Sequence, residues 1–302
     1  MATYGTYEQI GIKEDVSDVI SNISPTKTPF QSAIGNEKVN STLFEWQEDS
    51  LRAVAANKKV EGADASSITA TPTVMRNNRT QIMSEAVTVS GTADVVSTYG
   101  RAKETAYQMA KSATQVKRDL EHAFVGTAQE KVVGDASTAR EMSGYQYQID
   151  SSLVNYTGGT STVPTEAMVL TLLQECYEQG AEPSVISVTP SNSLVVAAFA
   201  AASGRYRTLQ TGGNDKAIVN VVNLYVSPFG EQKVVLNRFQ KAKNTLVFDP
   251  EMWVKCTLRS WTREPLAKTG DANKQQIIGE FSLKHKNFKA SGALIEAVNS
   301  GF

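Results

Sequence analysis

The chain has 302 residues and a formal net charge of −1 at pH 7, from 30 Lys+Arg and 31 Asp+Glu. Because 41% of the residues are hydrophobic and 20% are charged, disorder along the whole chain is excluded. The balanced charge gives no general attraction to nucleic acid or to an anionic membrane. Two cysteines in no metal-binding or redox spacing exclude a disulfide-built secreted fold and indicate a reducing compartment. No signal peptide is expected, and the longest apolar run, 194–202, is too short to span a bilayer.

The first forty residues are predicted to form an extended arm. They are mostly polar, and Pro25 and Pro29 restrict the residues before them to extended backbone geometry. Scattered isoleucines and valines around Asp15 allow at most one or two amphipathic helical turns. A segment of this composition usually lies across another surface, and a frayed terminus is the alternative.

A long β-hairpin flap is predicted to follow the arm. Residues 42–47 have the composition of a strand, and residues 81–90 alternate apolar and polar side chains. Between them, residues 52–79 are rich in Ala, Asn, Lys, Ser and Thr and cannot build a core of their own. A flap of about 20 residues per arm would reach on the order of 65 Å. Because an isolated hairpin is marginal in water, such a flap needs a neighbouring surface.

A single long helix is predicted over residues 99–133. The segment contains no proline, and Gly134 is a typical stop for a helix. At 1.5 Å rise per residue the helix would be about 50 Å long. The many alanines in its apolar stripe favour close packing on a flat sheet, and a coiled-coil dimer is the alternative. Two interleaved series form this stripe: Tyr99, Ala106, Ala113 and Leu120, and Ala102, Met109, Val116 and Ala123.

The remaining segments mix helices and strands, as in an α+β protein. Helices are predicted over 164–179, ended by Gly180, and over 190–202, with Thr189 as the N-cap and Pro190 as the first helical residue. The predicted strands are 184–188, 217–226, 233–236, 245–248, 252–261 and, as two strands meeting near 290–292, residues 275–297. The strands on either side of Asp249-Pro250 are expected to pair with each other.

No catalytic, cofactor or metal site is predicted. Two histidines leave little room for a catalytic triad or a zinc site, and the common phosphate-loop, dinucleotide, metalloprotease and serine-hydrolase motifs are absent from the sequence. His122 is expected at a solvated or interface position on the polar side of the long helix. His285, between Lys284 and Lys286, is expected to face solvent. Cys176 is expected to be a small core residue.

Two charged groups suggest contact surfaces. Glu48 and Asp49 lie on the predicted flap, next to Trp46 and Arg52. An exposed flap offers no cleft for acid–base chemistry, so ion pairing between subunits is expected, with a solvated face as the alternative. The second group consists of Lys284, Lys286 and Lys289. It is too small to read a nucleic-acid sequence but would soften repulsion from a packed polyanion; the alternative is an edge strand made soluble by lysines.

The order of arm, flap, long helix, α+β module and returning strands resembles the major capsid protein of tailed bacteriophages, the Hong Kong ninety-seven shell fold. Two stretches near the N-terminus resemble one phage capsid group: SPTKTPF at 24–30 and TLFEWQEDSL at 42–51. Three stretches near the C-terminus do so too: LAKTGD at 266–271, GEFSL at 279–283 and GALI at 292–295. The resemblance spans nearly the whole chain in order.

This resemblance implies an α+β tailed-phage capsid fold with five segments. They are an N-terminal arm (1–40), an extended β-hairpin loop (41–91), a spine helix with the peripheral domain (92–163), an axial domain (164–265) and the return strands of the peripheral domain (266–302).

The resemblance also implies a function as a major capsid protein. Hexamers and pentamers of the chain would assemble in the bacterial host cytoplasm into an icosahedral virion shell around double-stranded DNA. The implied partners are other copies of the chain, a portal protein, a separate scaffold protein and DNA contacted non-specifically, with no membrane, no cofactor and no enzyme activity. Inter-subunit contacts are expected at Phe44, Trp46, Glu48, Asp49, Arg52, Lys58 and Lys59.

Three other functions stay open at this point. An encapsulin-type compartment shell shares this fold and packages enzymes. Another virion component, such as a tail or decoration protein, is disfavoured by the long helix. A hydrolase or transferase is disfavoured because the sequence contains no catalytic constellation.

Overall fold

A computed structural model of the chain describes residues 24–65, 70–96, 103–157, 163–202 and 224–296. The predicted arm before residue 24, the predicted helical residues 99–102 and the predicted strand residues 217–223 lie outside these ranges. The described helices are α1 (Pro29–Ala33), α2 (Gly91–Val95), α3 (Glu104–Val125), α4 (Glu166–Glu178) and α5 (Pro190–Ala202). The described strands are β1 (Gly35–Lys38), β2 (Leu43–Glu48), β3 (Val74–Arg79), β4 (Gln81–Ser90), β5 (Val154–Tyr156), β6 (Val185–Val188), β7 (Leu224–Ser227), β8 (Gly230–Leu236), β9 (Thr245–Phe248), β10 (Trp253–Pro265), β11 (Ala272–His285) and β12 (Gly292–Ile295).

A four-stranded sheet in the order β1-β10-β11-β4 supports the long helix α3. β10, β11 and β4 are antiparallel neighbours, and β1 joins β10 in parallel. Met109 and Val116 of α3 are buried against Ile277 of β11. The prediction that the helix packs on a flat sheet is therefore confirmed. Ala106 and Ala113 are exposed, so only the series that contains Met109 and Val116 faces the sheet along these turns.

The predicted end of this helix at Gly134 is wrong, because α3 ends at Val125. A Cβ added to the next residue, Gly126, would lie 2.0 Å from His122 Nδ1 and 2.3 Å from the carbonyl oxygen of Phe239. The His122 ring nitrogen itself lies 3.0 Å from that carbonyl oxygen, and the side chain is exposed as expected. The helix therefore stops where the chain passes a distant backbone segment too closely for any side chain. Gly134, with φ of 72°, turns the loop that follows.

Replacing Gly126 with alanine is expected to lower the free energy of unfolding by about 1–3 kcal/mol, because the methyl group must displace a backbone carbonyl. Gly35→Ala in β1 is the matched control. There the nearest atom to an added Cβ lies 3.9 Å away, and a change within about 1 kcal/mol is expected. Urea denaturation measures both variants. Equal losses would contradict the close approach at Gly126.

A six-stranded sheet in the order β5-β12-β9-β6-β8-β7 forms the second layer. Helix α4 packs against β12, and α5 packs against β6. At the start of α4, Thr165 Oγ1 accepts a hydrogen bond from the Met168 N–H (3.3 Å), and the chain turns after the helix at Gly180, with φ of 89°. Helix α5 begins at Pro190, directly after Thr189. The predictions of both helices and of the buried strand β6 are confirmed.

The predicted pair of strands around Asp249-Pro250 is wrong. Strand β9 lies between β12 and β6 in the six-stranded sheet, whereas β10 lies in the four-stranded sheet. Asp249 Oδ1 accepts a hydrogen bond from the Glu251 N–H (3.1 Å) at the start of a short 3-10 helix, Pro250–Met252, in which the chain changes sheets. Strand composition identifies the two strands but does not specify their partners.

The predicted domain boundaries stay predictions. Strand β10 precedes the boundary at residue 265 and pairs with β11, which follows it. Strands β5 and β12, both predicted in the peripheral domain, pair with each other in the six-stranded sheet. Each sheet therefore contains strands from both predicted domains. One continuous hydrophobic core joins the two sheets.

Part of the predicted arm belongs to this core. Phe30 of α1 is 2% exposed. Its ring centroid lies 5.1–6.2 Å from those of four aromatic residues, Phe124, Tyr145, Phe248 and Trp253. Strand β1 then forms one edge of the four-stranded sheet. Residues 29–38 are therefore attached to the body of the chain.

Candidate assembly surface: the flap and its base

The flap consists of a paired base and an unpaired distal segment. The base is the antiparallel ladder of β2 and β3, which runs from Leu43 opposite Arg79 to Glu48 opposite Val74. The distal segment is residues 49–73, and its described part, 49–65 and 70–73, contains no strand. The hairpin prediction is confirmed, but the ladder is shorter than predicted. Few β-branched or aromatic residues occur in the distal segment, so little favours cross-strand pairing there.

One face of the base packs on the segment after β11. Trp46 is 9% exposed, and its ring centroid lies 5.8 Å from that of Phe44 and 6.3 Å from that of Phe288. The guanidinium of Arg76 lies over the Phe288 ring at 4.2 Å. Glu48 accepts hydrogen bonds from Arg76 Nε (2.7 Å) and from the backbone N–H of Phe288. Trp46 and Glu48, both predicted to contact another subunit, thus have partners within the chain.

The inner end of the base, where Leu43 lies opposite Arg79, is held by Asn78, which is fully buried. Its Nδ2 donates to the carbonyl oxygens of Leu283 (2.6 Å) and Ser143 (3.2 Å). Its Oδ1 accepts from the N–H groups of Ser143 and Arg79, both at 2.8 Å. Gln148 Nε2 donates to the same two carbonyl oxygens, that of Ser143 at 2.8 Å and that of Leu283 at 3.1 Å. Because every polar atom of the Asn78 amide is used, the end of β3 is fixed to β11 and to residues 143–148.

An ion cluster around one buried carboxylate lies where the flap joins β4. Glu280 is 4% exposed and accepts hydrogen bonds from Thr80 Oγ1 (2.6 Å) and from Arg140. Arg259 Nε lies 3.2 Å from the other carboxylate oxygen, and Arg140 Nε donates to the carbonyl oxygen of Thr80 (2.6 Å). A buried carboxylate requires such partners, since losing one leaves an uncompensated charge. The cluster therefore fixes the junction as well.

The expectation that His285 faces solvent is wrong. The side chain is fully buried and stacks on Trp253 with ring centroids 4.0 Å apart. Its Nδ1 lies 2.7 Å from the carbonyl oxygen of Gln148, so Nδ1 carries the proton and donates. Its Nε2, 3.1 Å from Ser291 Oγ, then accepts from that hydroxyl, which itself accepts from Trp253 Nε1 at 2.9 Å. Burial lowers the pKa of His285 to about 3, so the imidazole is neutral.

A second buried carboxylate, Glu121 of α3, holds the start of α1. It accepts hydrogen bonds from the N–H groups of Phe30 (2.8 Å) and Gln31 (2.9 Å) and from Asn237 Nδ2 (2.7 Å). Burial raises the pKa of the Glu121 carboxyl, while these N–H donors oppose the shift. Thr28, which precedes the helix, makes no capping bond, so Glu121 satisfies the N–H groups that a cap residue would satisfy.

The distal segment is open to solvent in its described part. The side chains of Leu51, Val54 and Val60 are 80–101% exposed, and Gly62, with φ of 79°, lies in the turn at its tip. Four predicted contact residues lie in this segment and are exposed: Asp49, Arg52, Lys58 and Lys59. Phe44 is half-buried. The contacts of all seven predicted residues with another subunit stay a prediction.

The basic cluster is split by the structure. Lys284 forms an ion pair with Glu37 of β1, at 3.0 Å, whereas Lys286 and Lys289 are exposed. Both cysteines are buried, and burial raises the pKa of each thiol to about 12. Among the described residues no group of three or more His, Cys, Asp or Glu side chains is arranged to hold a metal ion. No described helix is both long and apolar enough to cross a membrane.

Comparisons with solved structures identify the fold. The capsid of cyanophage A-1(L) matches with a TM-score of 0.67 at 12% identity, over 96% of this chain and 98% of that one. A chain from the solved structure of Mycobacterium phage Bobi matches with a TM-score of 0.62 at 13% identity, over 98% of this chain and 100% of that one. The SrpI encapsulin of Synechococcus elongatus matches with a TM-score of 0.64 at 10% identity, over 98% and 96%. The predicted α+β tailed-phage capsid fold is confirmed.

Comparisons of sequence identify the family. The major capsid protein of Escherichia phage Phieco32 is 30% identical to this chain over an alignment 341 residues long. The alignment covers 97% of this chain and 96% of that protein. The family model described as SU10 major capsid protein matches residues 2–298. The chain therefore belongs to the SU10 major capsid protein family.

Proposed function

We propose that the chain assembles as hexamers and pentamers into an icosahedral shell that encloses double-stranded phage DNA. Family membership supports a capsid role. The observation that carries the assembly step is the distal segment of the flap, which exposes Leu51, Val54 and Val60 and pairs with no described strand. Exposed apolar side chains on an unpaired extension favour contact with a second surface. In a shell of identical subunits that surface belongs to a neighbouring copy.

The proposed contacts divide between the two parts of the flap. Asp49, Arg52, Lys58 and Lys59 project from the distal segment and supply charges for ion pairs at the rim of an interface. Phe44, Trp46 and Glu48 lie on the base. Their contacts within the chain leave the outer side of the half-buried Phe44 ring for a neighbour.

The proposed division of labour follows the predicted segments. Of the predicted arm (1–40) and extended loop (41–91), the arm residues before α1 and the distal segment of the flap would join neighbouring subunits, because β1 and β4 pair within the body of the chain. Residues 92–163 and 266–302, as spine helix and peripheral domain, and residues 164–265, as axial domain, would form the rigid plate of each subunit. One chain can then occupy both kinds of ring if the extensions bend while the plates stay rigid.

The proposed further partners are a portal protein, a separate scaffold protein and packaged DNA, with assembly in the bacterial host cytoplasm. The near-zero net charge supports weak contact with DNA rather than strong binding, because the 31 acidic residues offset the 30 Lys+Arg that could neutralise phosphates. Lys286 and Lys289 are exposed candidates for such contacts.

The encapsulin-like compartment is the second candidate, favoured by the likeness to the SrpI encapsulin. The two functions differ in the contents of the particle, since a phage capsid packages DNA and a compartment packages protein. Purified particles whose cargo is protein, with no nucleic acid after nuclease treatment and opening, would favour the compartment.

Removing the distal segment tests the proposed assembly step. Replacing residues 50–72 with an Asn-Gly turn joins the outer ends of β2 and β3 and leaves Asn78 and Trp46 in place. We expect this variant to fold with the melting temperature of the parent chain and to form no shells, as judged by negative-stain microscopy and light scattering. The parent chain, with its scaffold protein if required, should form closed particles. Shells from the shortened variant would contradict the assigned role of the flap.

A further inference from the structure

We infer that the flap bends at the outer end of its base, next to Glu48 and Val74, and not where the base joins the body of the chain. Only the purpose of the bend rests on the proposed shell function, since hexamers and pentamers require the flap to take different angles. The position of the bend follows from the bonds that hold each part.

The inner end of the base is bonded to two parts of the body, the loop at Ser143 and strand β11. The Asn78 amide bonds to Ser143 and to the carbonyl oxygen of Leu283, as described above. Ser282 Oγ donates to the carbonyl oxygen of Arg79 at 2.6 Å. Thr80 Oγ1 donates to Glu280. Rotation of the base at this junction would break all of these bonds together and leave buried polar groups without partners, which is strongly unfavourable.

The first strand of the base is held to the same body. The N–H of Thr80 donates to the carbonyl oxygen of Thr42 at 3.0 Å, which keeps the entry and exit of the flap together. At the far end of β2, the Glu48 carboxylate accepts from the N–H of Phe288. Trp46 covers Phe288 between these two attachments. The base is therefore bonded to the body along its whole length.

No backbone hydrogen bond joins the described part of the distal segment to the described part of the body. The backbone N–H groups of the segment donate to near neighbours, such as Ser50 to Asp49 Oδ1 (2.8 Å) and Ala63 to the carbonyl oxygen of Val60 (3.1 Å). The transition from attached to unattached backbone falls directly after Glu48 and before Val74. Bending at this point breaks no bond of the buried network.

Distances between spin labels test the position of the bend. A label at Gln47 reports on the base, a label at Lys58 reports on the distal segment, and each is paired with a reference label at Lys117 of α3; all three positions are exposed. The native thiols do not interfere, because Cys176 and Cys256 are buried with raised pKa values of about 12. Pulsed electron paramagnetic resonance then gives the distance distribution of each pair, in the unassembled chain and in shells where labelled chains are diluted with unlabelled ones.

We expect a narrow Gln47–Lys117 distribution with the same maximum before and after assembly. The Lys58–Lys117 distribution should be several-fold broader in the unassembled chain and should shift or split in shells. A Gln47–Lys117 distribution that moves on assembly as much as the Lys58–Lys117 distribution would overturn the inference.

Asn78→Ala should broaden the Gln47–Lys117 distribution, because it removes the bonds that fix the base. Asn77→Ala is the matched control. The Asn77 side chain contacts Glu45 and Lys131 at the exposed surface, so the distribution should stay narrow. Equal broadening in both variants, or none in Asn78→Ala, would contradict the role of the Asn78 hydrogen bonds in fixing the base.

The test separates the two proposals. If no shells form, the proposed function fails. The widths of the Gln47–Lys117 and Lys58–Lys117 distance distributions in the unassembled chain still decide the position of the bend. Equal widths there would overturn it.

Discussion

Acidification from pH 7 to pH 4 should lower the free energy of unfolding by about 3 kcal/mol through His285 alone. The unfolded chain binds a proton at this imidazole below its ordinary pKa of 6.5, whereas the folded chain binds one only below about 3. Between these values the unfolded state holds more protons, so stability rises with pH and is lost as the pH falls. Above pH 6.5 both states are neutral at His285, and the effect vanishes.

Urea denaturation at a series of pH values measures this dependence. His285→Gln removes the titrating group, so the part of the acid loss between pH 6.5 and pH 4.5 that it causes should disappear even if the variant is less stable at pH 7. His122→Gln removes the other, exposed histidine and should keep the loss. A flat stability profile of the parent chain in this window, or the same slope in His285→Gln, would show that the buried imidazole is not the cause.

Phe30→Ala should destabilise the chain by about 3–5 kcal/mol, as expected for removing a buried phenyl ring. The ring is 2% exposed and contacts Phe124 of α3, Tyr145, Phe248 of β9 in one sheet and Trp253 of β10 in the other. These rings cannot close the space left behind without moving the sheets, so a cavity remains.

Phe44→Ala is the matched control for this prediction. Phe44 is half-buried and stacks on Trp46 at the surface of the flap base, so a smaller loss is expected. Denaturant unfolding at pH 7 compares the two variants. A loss in Phe30→Ala no larger than that in Phe44→Ala would contradict the anchoring of residues 29–33 in the core. Phe30→Ala should also detach α1 from Glu121. Limited proteolysis would detect this change as faster cleavage after Lys27.

Local sequence signals predicted the elements well and their partners poorly. Thr189 and Gly180 mark helix ends through contacts within a few residues, and these ends were predictable. The end of α3 was not, since it depends on Phe239, which lies 117 residues from His122 in the chain. The pairing of β10 with β11 instead of β9 was equally inaccessible, because both choices fit the same composition.

The burial of His285 had a signal that the interpretation missed. Side chains in a strand alternate between faces, and Phe281 and Leu283 are apolar, so His285 shares their face and points into the core, between two lysines that point away. Glu121 and Glu280 had no such signal. A carboxylate is normally placed at the surface, and only the assembled fold brings the N–H groups and guanidinium groups that make their burial possible.

The hydrogen bonds of the Asn78 side chain have a consequence for when the flap can be fixed during synthesis of the chain. The shortest of them, at 2.6 Å, reaches the carbonyl oxygen of Leu283, 205 residues later in the chain. During translation, β3 leaves the ribosome long before β11 does, so this bond can form only after most of the chain has been synthesised. A polypeptide that ends before β11 would therefore lack the bonds from Leu283, Ser282 and Glu280 that fix the inner end of the flap base.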